Sequence, residues 1–147
     1  MPDARLVLSV PAGKIYDLIF EHLIYSCPDS PAYQYDHIEL MAFRTAAGRM
    51  AQILKIQKIY TVRPEDLAAE FSIPEDHRIR IAAYITAARK SGVLEKPGAY
   101  RFYILDDDPV ATLPHRPAPK TQIKGAAYFT MTQLTSGTPI VIPISEN

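Results

Sequence analysis

Between residues 77 and 101, Arg78, Arg80, Arg89, Lys90, Lys96 and Arg101 stand against a single acid, Glu95. The whole chain is neutral, with 16 Lys+Arg against 16 Asp+Glu. A local excess of cations in such a chain marks where a polyanion would bind. Read at roughly 100° per residue, Ile81, Ile85 and Ala88 share one helix face, flanked by Tyr84 and His77. Arg80, Ala83, Ala87 and Lys90 share the opposite face. Alanines between long cations let a helix lie deep in a major groove while Arg80 and Lys90 reach phosphates or guanine edges. Arg78 and Arg89 lie on the shoulder and suit phosphate contacts. Lys96 and Arg101 flank Pro97-Gly98 and would reach the backbone or a minor groove. The plain alternative is a surface helix with solvated charges.

Other candidate chemistry is sparse. His22, His37, His77 and His115 have no metal-ligand spacing with one another or with Cys27. Asp106-Asp107-Asp108 reads as a solvated acidic run, because adjacent carboxylates diverge. Glycines occur singly, so no phosphate-cradling loop is present. Cys27 precedes a proline and has no evident base. These features predict a protein that is not an enzyme and needs no metal or cofactor.

Several elements would position the basic residues. Residues 13–26 read as a helix that is apolar nearly all round, with Ile15, Leu18, Ile19, Phe20, Leu23 and Ile24. A second helix is predicted over 36–57, where Leu40, Phe43, Ala47, Met50 and Leu54 recur at three- and four-residue spacing. Arg44, Arg49, Gln52 and Lys55 then fall on its solvated side. A short helix starts at Pro64, with Glu65 and Asp66 in its first turn. A fourth spans 75–91 and stops at Gly92. Residues 93–104 read as a β-hairpin turning at Pro97-Gly98. Beyond it, Pro109, Pro114, Pro117 and Pro119 suggest an extended linker. A final hairpin arm is predicted from Ala127–Thr132 and Ile140–Ile142.

This order resembles the winged helix-turn-helix DNA-binding domain of bacterial and phage regulators. The resemblance rests on Asp66-Leu67-Ala68-Ala69-Glu70-Phe71-Ser72-Ile73, similar to the first helix and turn, and on Ser91-Gly92-Val93-Leu94, similar to the exit into the wing. Ser72 stands where the family commonly has Gly, and Pro74-Glu75-Asp76 lengthen the segment. The fold class expected is α+β: a mainly helical winged helix-turn-helix with a C-terminal β-hairpin arm. Its pieces are an apolar helix and loop over 1–35, the winged domain over 36–105, and the linker and tail over 106–147. The resemblance implies sequence-specific double-stranded DNA binding by a transcriptional regulator or a replication or partition factor. A protein-interaction module on the same fold is the alternative.

Hydrophobic residues make up 48% of the chain and charged residues 22%, enough apolar surface to exclude wholesale disorder. No run approaches the roughly 20 apolar residues of a membrane span. The first residues lack a secretory pattern and Cys27 is the single cysteine, so a reducing cytoplasm is expected. A helix apolar on most sides predicts a homodimer through Ile15, Ile19, Phe20, Leu23 and Ile24.

Overall fold

The run Leu40-Met41-Ala42-Phe43-Arg44 is buried at every position. An amphipathic helix exposes one side, whereas a strand covered on both faces is buried throughout. The computed structural model describes residues 5–31, 35, 38–121, 123 and 125–146. Its first elements are β1 (Leu6–Pro11), a 3-10 turn (Gly13–Ile15), α1 (Tyr16–His22), β2 (Ile24–Pro28), β3 (Leu40–Arg44) and β4 (Gln52–Val62). A 3-10 segment (Pro64–Ala69), α2 (Glu75–Lys90) and β5 (Tyr100–Leu105) follow. The chain then forms β6 (Ala111–Thr112), β7 (Ala118–Pro119), β8 (Ala127–Thr130), α3 (Met131–Thr135), β9 (Ile140–Val141) and β10 (Ser145–Glu146).

The chain divides into two compact units. One joins Met1–Tyr16, Asp36–Ile56 and Asp106–Asn147; the other joins Asp17–Tyr35 and Gln57–Leu105.

The first unit is a mixed sheet in the order β10-β8-β1-β3-β4, with β6 added to β4. β1 and β3 are parallel, with Val7 opposite Leu40 and Pro11 opposite Arg44. The neighbouring pairs β1–β8, β8–β10 and β3–β4 are antiparallel. Val7, Leu40, Ala42, Met50, Ile53, Phe129 and Leu134 form its core. β7 and β9 make a separate two-stranded parallel ladder.

The second unit pairs β2 with β5 antiparallel, from Ile24 opposite Ile104 to Pro28 opposite Tyr100. Ile81, Tyr84, Ile85 and Ala88 of α2 pack in one cluster with Phe102, Ile104, Leu67 and Val62. That is the helix face the spacing selects, and Gly92, with φ +79°, lies just past the helix end.

The mainly helical winged-helix expectation is overturned. In place of the helix over 36–57, whose first two residues lie outside the described ones, stand β3, a turn and β4, because Gly48 at φ +82° breaks the run and Arg44 bridges back to Met50. Three- and four-residue apolar spacing arose from two strands joined by a short turn, and Ile53, Ile56, Ile59, Thr61 and Val62 carry the β-branched composition of a strand. Residues 93–96 form no strand, so no wing hairpin exists; β5 pairs with β2 instead.

The helix over 13–26 shortens to α1. Leu23 takes φ +54° and ends it, and its carbonyl accepts from Leu105 N–H at 3.0 Å. Ile19 and Ile24 are fully buried within the chain, while Ile15, Phe20 and Leu23 are half-buried. The tail is not a hairpin arm either. β8 lies inside the sheet between β1 and β10. Thr130 then starts α3 with a capping box: its hydroxyl accepts from Gln133 N–H, and its own N–H donates to Gln133 Oε1. The Pro-rich stretch is tied in by β6, β7 and buried Leu113.

Candidate functional site

The parallel pairing of β1 and β3 brings their carboxyl ends to one edge of the first unit. Two sharp changes of direction follow. After β1, Ala12 donates its N–H to the Arg44 carbonyl at 2.9 Å, and Gly13 takes φ +50°. After β3, Gly48 N–H donates to Thr45 O at 2.8 Å and Thr45 N–H to Arg49 O at 3.0 Å, closing a turn over Thr45-Ala46-Ala47-Gly48. Residues 116–121 and Ile123 supply another wall. They are held by Met50 N–H to Pro117 O at 3.0 Å, Arg49 Nη1 to Arg116 O at 3.2 Å, and Lys120 N–H to Val141 O at 2.9 Å.

These walls enclose an open cavity of about 420 Å³ lined by Pro11, Gly13, Arg44, Thr45, Ala46, Ala47, Gly48, Ala118, Pro119, Thr121 and Ile123. A volume of this order suits a small organic molecule. Arg44 is its one charged lining residue among the described residues. It is 2% exposed. Its Nη1 donates to Ser9 O at 3.0 Å and Ser9 Oγ at 2.6 Å, and its Nη2 donates to the Gly125 carbonyl. Ser9 Oγ in turn donates to Met50 Sδ at 3.3 Å. A buried guanidinium is costly unless its donors are engaged. Here one strand, one loop and one hydroxyl hold it in place.

Sequence spacing put Arg44 on the solvated side of a helix. That reading is corrected by the strand, whose every position is covered. The signal was present in the uninterrupted Leu40-Met41-Ala42-Phe43 run ahead of turn-forming Thr45 and Gly48.

The residues singled out for a polyanion are spread over α2, the segment after it and β5. Arg78 closes the turn ahead of α2: its Nε donates to Ile73 O at 3.0 Å and its Nη1 to Ala68 O at 3.4 Å. Its guanidinium also lies 5.0 Å from the centre of the Phe71 ring. Arg80 Nη2 donates to the carbonyls of His22 and Leu23 at 3.4 and 3.3 Å, at the end of α1. Arg101 pairs with Asp29 at 3.1 Å. Ala83, Arg89 and Lys90 are exposed on α2, and Lys96 is exposed beyond it. Arg89 and Lys96 also line a shallower cavity with Glu65 and Glu95, whose carboxylates oppose anion binding. With no wing and with Arg78, Arg80 and Arg101 engaged internally, the DNA-binding winged-helix reading and its interaction-module variant are withdrawn.

Beside the β2–β5 ladder, Ser26 and Tyr84 share a 2.7 Å hydrogen bond. Burial pushes the Cys27 thiol up to about 11, and burial likewise raises the Tyr103 phenol, with Cys27 adding to it. These groups stay neutral at neutral pH. Tyr60 Oη and His77 Nδ1 lie 2.7 Å apart. Among the described residues, no three His, Cys, Asp or Glu come together to hold a metal. No helix among them is long and apolar enough to cross a membrane.

No family model matches the chain, and no curated protein matches it. Among solved structures, the chain is similar to a serine-to-alanine variant of ZmASCH from Zymomonas mobilis, with a TM-score of 0.48 and 7% identity, covering 90% of this chain and 93% of that one. A tyrosine-to-phenylalanine variant of the same protein gives a TM-score of 0.47 at 7% identity, covering 86% and 91%. Neither likeness assigns a role to a residue of this chain.

Proposed function

We propose that the protein binds a small molecule in the cavity at the carboxyl ends of β1 and β3, and that it acts by binding and not by turnover. The carrying observation is the cavity itself: about 420 Å³, walled on several sides, with a fixed buried guanidinium beside mostly small and apolar residues. Sites for small ligands combine such walls with a few oriented polar groups. The described lining residues include Thr45 and Thr121 but no His, Cys, Asp, Glu or Lys. None of them is a general base near neutral pH, which favours binding over acid–base chemistry. A cytoplasmic setting is part of the proposal, supported by a single buried free cysteine.

Ala47 is exposed and lines the cavity, so Ala47→Trp fills the space without entering the core. A fragment collection screened by thermal shift should give hits on the wild-type protein that vanish in this variant, while the variant keeps the wild-type unfolding temperature. A wild-type protein shifted by no fragment, or hits that survive Ala47→Trp, would refute the site.

A further inference from the structure

We infer that α2 pairs antiparallel with the α2 of a second copy of this chain, making a twofold dimer.

The outer face of α2 carries the argument. Ile81, Tyr84, Ile85 and Ala88 pack into the core of the second unit, which leaves the opposite side exposed. Along that side the first turn is acidic, with Glu75 and Asp76, and the last is basic, with Arg89 and Lys90. Between them stand Ile79, Ala82, Ala83 and Thr86, all uncharged and all exposed. Acids first and cations last suit the dipole of any lone helix. The middle does not suit a lone helix, because a water-facing side ordinarily carries charged and polar groups throughout. Ile79 is 62% exposed. Thr86 Oγ1 donates to the Ala82 carbonyl at 3.1 Å, so its hydroxyl is engaged within the helix and its methyl adds apolar surface.

The order of these residues selects the partner. Turned end for end, the face maps onto itself: Glu75 falls on Lys90, Asp76 on Arg89, Ile79 on Thr86, and Ala82 on Ala83. A twofold interface requires such self-complementarity, since each contact occurs twice with the roles exchanged. The axis passes between Ala82 and Ala83, where small side chains let two helices approach to about 8 Å. A parallel pair would instead set Glu75 against Glu75 and Lys90 against Lys90. Neither Glu75 nor Lys90 is ion-paired to another described residue. Arg89 shares a shallow cavity with Glu65 and Glu95, so the Glu75–Lys90 contact carries most of the attraction. Ile19 and Ile24, expected from sequence at a dimer contact, are fully buried within the chain.

One helix pair buries less than the roughly 1,200 Å² of a stable interface, so the dimer is reversible and populated at high micromolar chain concentration. The experiment is sedimentation of the full chain over a dilution series at low salt, where exposed charges are least screened. Wild type should pass from the mass of two chains to that of one. Glu75→Lys and Lys90→Glu, each at an exposed position, set like charges across the axis and should weaken pairing at least ~10-fold. An equimolar mixture of the two variants should regain the wild-type mass, because one copy then offers cations at both ends and the other acids at both ends. Wild type that stays at the mass of one chain overturns the dimer. A dimer indifferent to both reversals, or not regained on mixing, overturns α2 as its face. Amide chemical shifts of wild type need no variant: on dilution they should change at Ile79, Ala82, Ala83 and Thr86, and changes confined to other residues overturn the pairing.

Discussion

In the second unit the cations of α2 lie at the surface or direct their donors to nearby carbonyls, as Arg80 does to His22 and Leu23. In the first unit, among the described residues, one guanidinium, that of Arg44, lies inside the sheet and donates to Ser9 and Gly125. The basic stretch is conspicuous in the sequence and the lone arginine is not. Charge density along a chain therefore locates a solvated face as readily as a site. What distinguishes Arg44 is that its charge is desolvated, and only the fold brings that about.

Removing each kind of arginine should separate the two regions most strongly. Arg44→Ala deletes the buried charge, leaves Ser9 and Gly125 oxygens without their donor, and opens a void. A loss of about 2–4 kcal/mol is expected, read as a lower urea midpoint at unchanged slope. An Arg44→Ala variant as stable as wild type would show that the guanidinium is not integral to the sheet, and the comparison would fail.

Alkaline pH should act on the second unit. The folded Cys27 thiol titrates near 11 against an ordinary value of 9.0, and Tyr25, Tyr84 and Tyr103 are also raised, each first by burial. A raised acid keeps its proton in the folded state. The stability it contributes is complete below pH 9 and is lost as pH climbs from about 9 towards 11. The unfolding temperature should fall across that window, and Cys27→Ala should flatten part of the fall. An identical pH profile in that variant would remove Cys27 from the account.

Gly48→Ala sharpens the role of the cavity turn. A Cβ there would meet Pro119 Cδ at 3.9 Å, ordinary contact, so space does not forbid it. The φ of +82° does. About 1 kcal/mol of stability should be lost, and amide shifts should change at residues 45–48. A neutral Gly48→Ala would mean that the turn adopts a right-handed form without strain.

How much was legible follows from the range of the forces involved. α2 was readable because its evidence is local: Ile81, Tyr84, Ile85 and Ala88 repeat at helical spacing, and Gly92 provides the stop. β3 and β4 were misread because apolar residues on two strands joined by a short turn mimic helical spacing over 40–54. The decisive facts, the parallel partner β1 and the cover on both faces, are distant in sequence. α1 was overextended because Ile24 and Cys27 belong to a strand whose partner, β5, lies far along the chain. The cavity was illegible for the same reason, since its walls come from the end of β1, the β3–β4 turn and the stretch around Pro119. Arg44 carried only a weak hint, a charge at the end of an unbroken apolar run.

The smallest expected effects lie on α2 itself, and their ordering tests the surface side of the comparison. Arg80 is half-buried and its two bonds are long, at 3.3 and 3.4 Å, and one acceptor, the Leu23 carbonyl, already accepts from Leu105 N–H. Arg80→Ala should cost about 0.5–1.5 kcal/mol. Arg89 and Lys90 are exposed at the last turn, where they favour the helix dipole. Replacing either with Ala should change stability by no more than about 0.5 kcal/mol, because alanine's helix propensity offsets the lost dipole interaction. Urea melts of the three single variants should therefore rank Arg80 well ahead of the other two. Equal losses at all three would mean that Arg80's contacts with His22 and Leu23 contribute nothing, and the engaged and solvated cations of α2 would no longer be two classes.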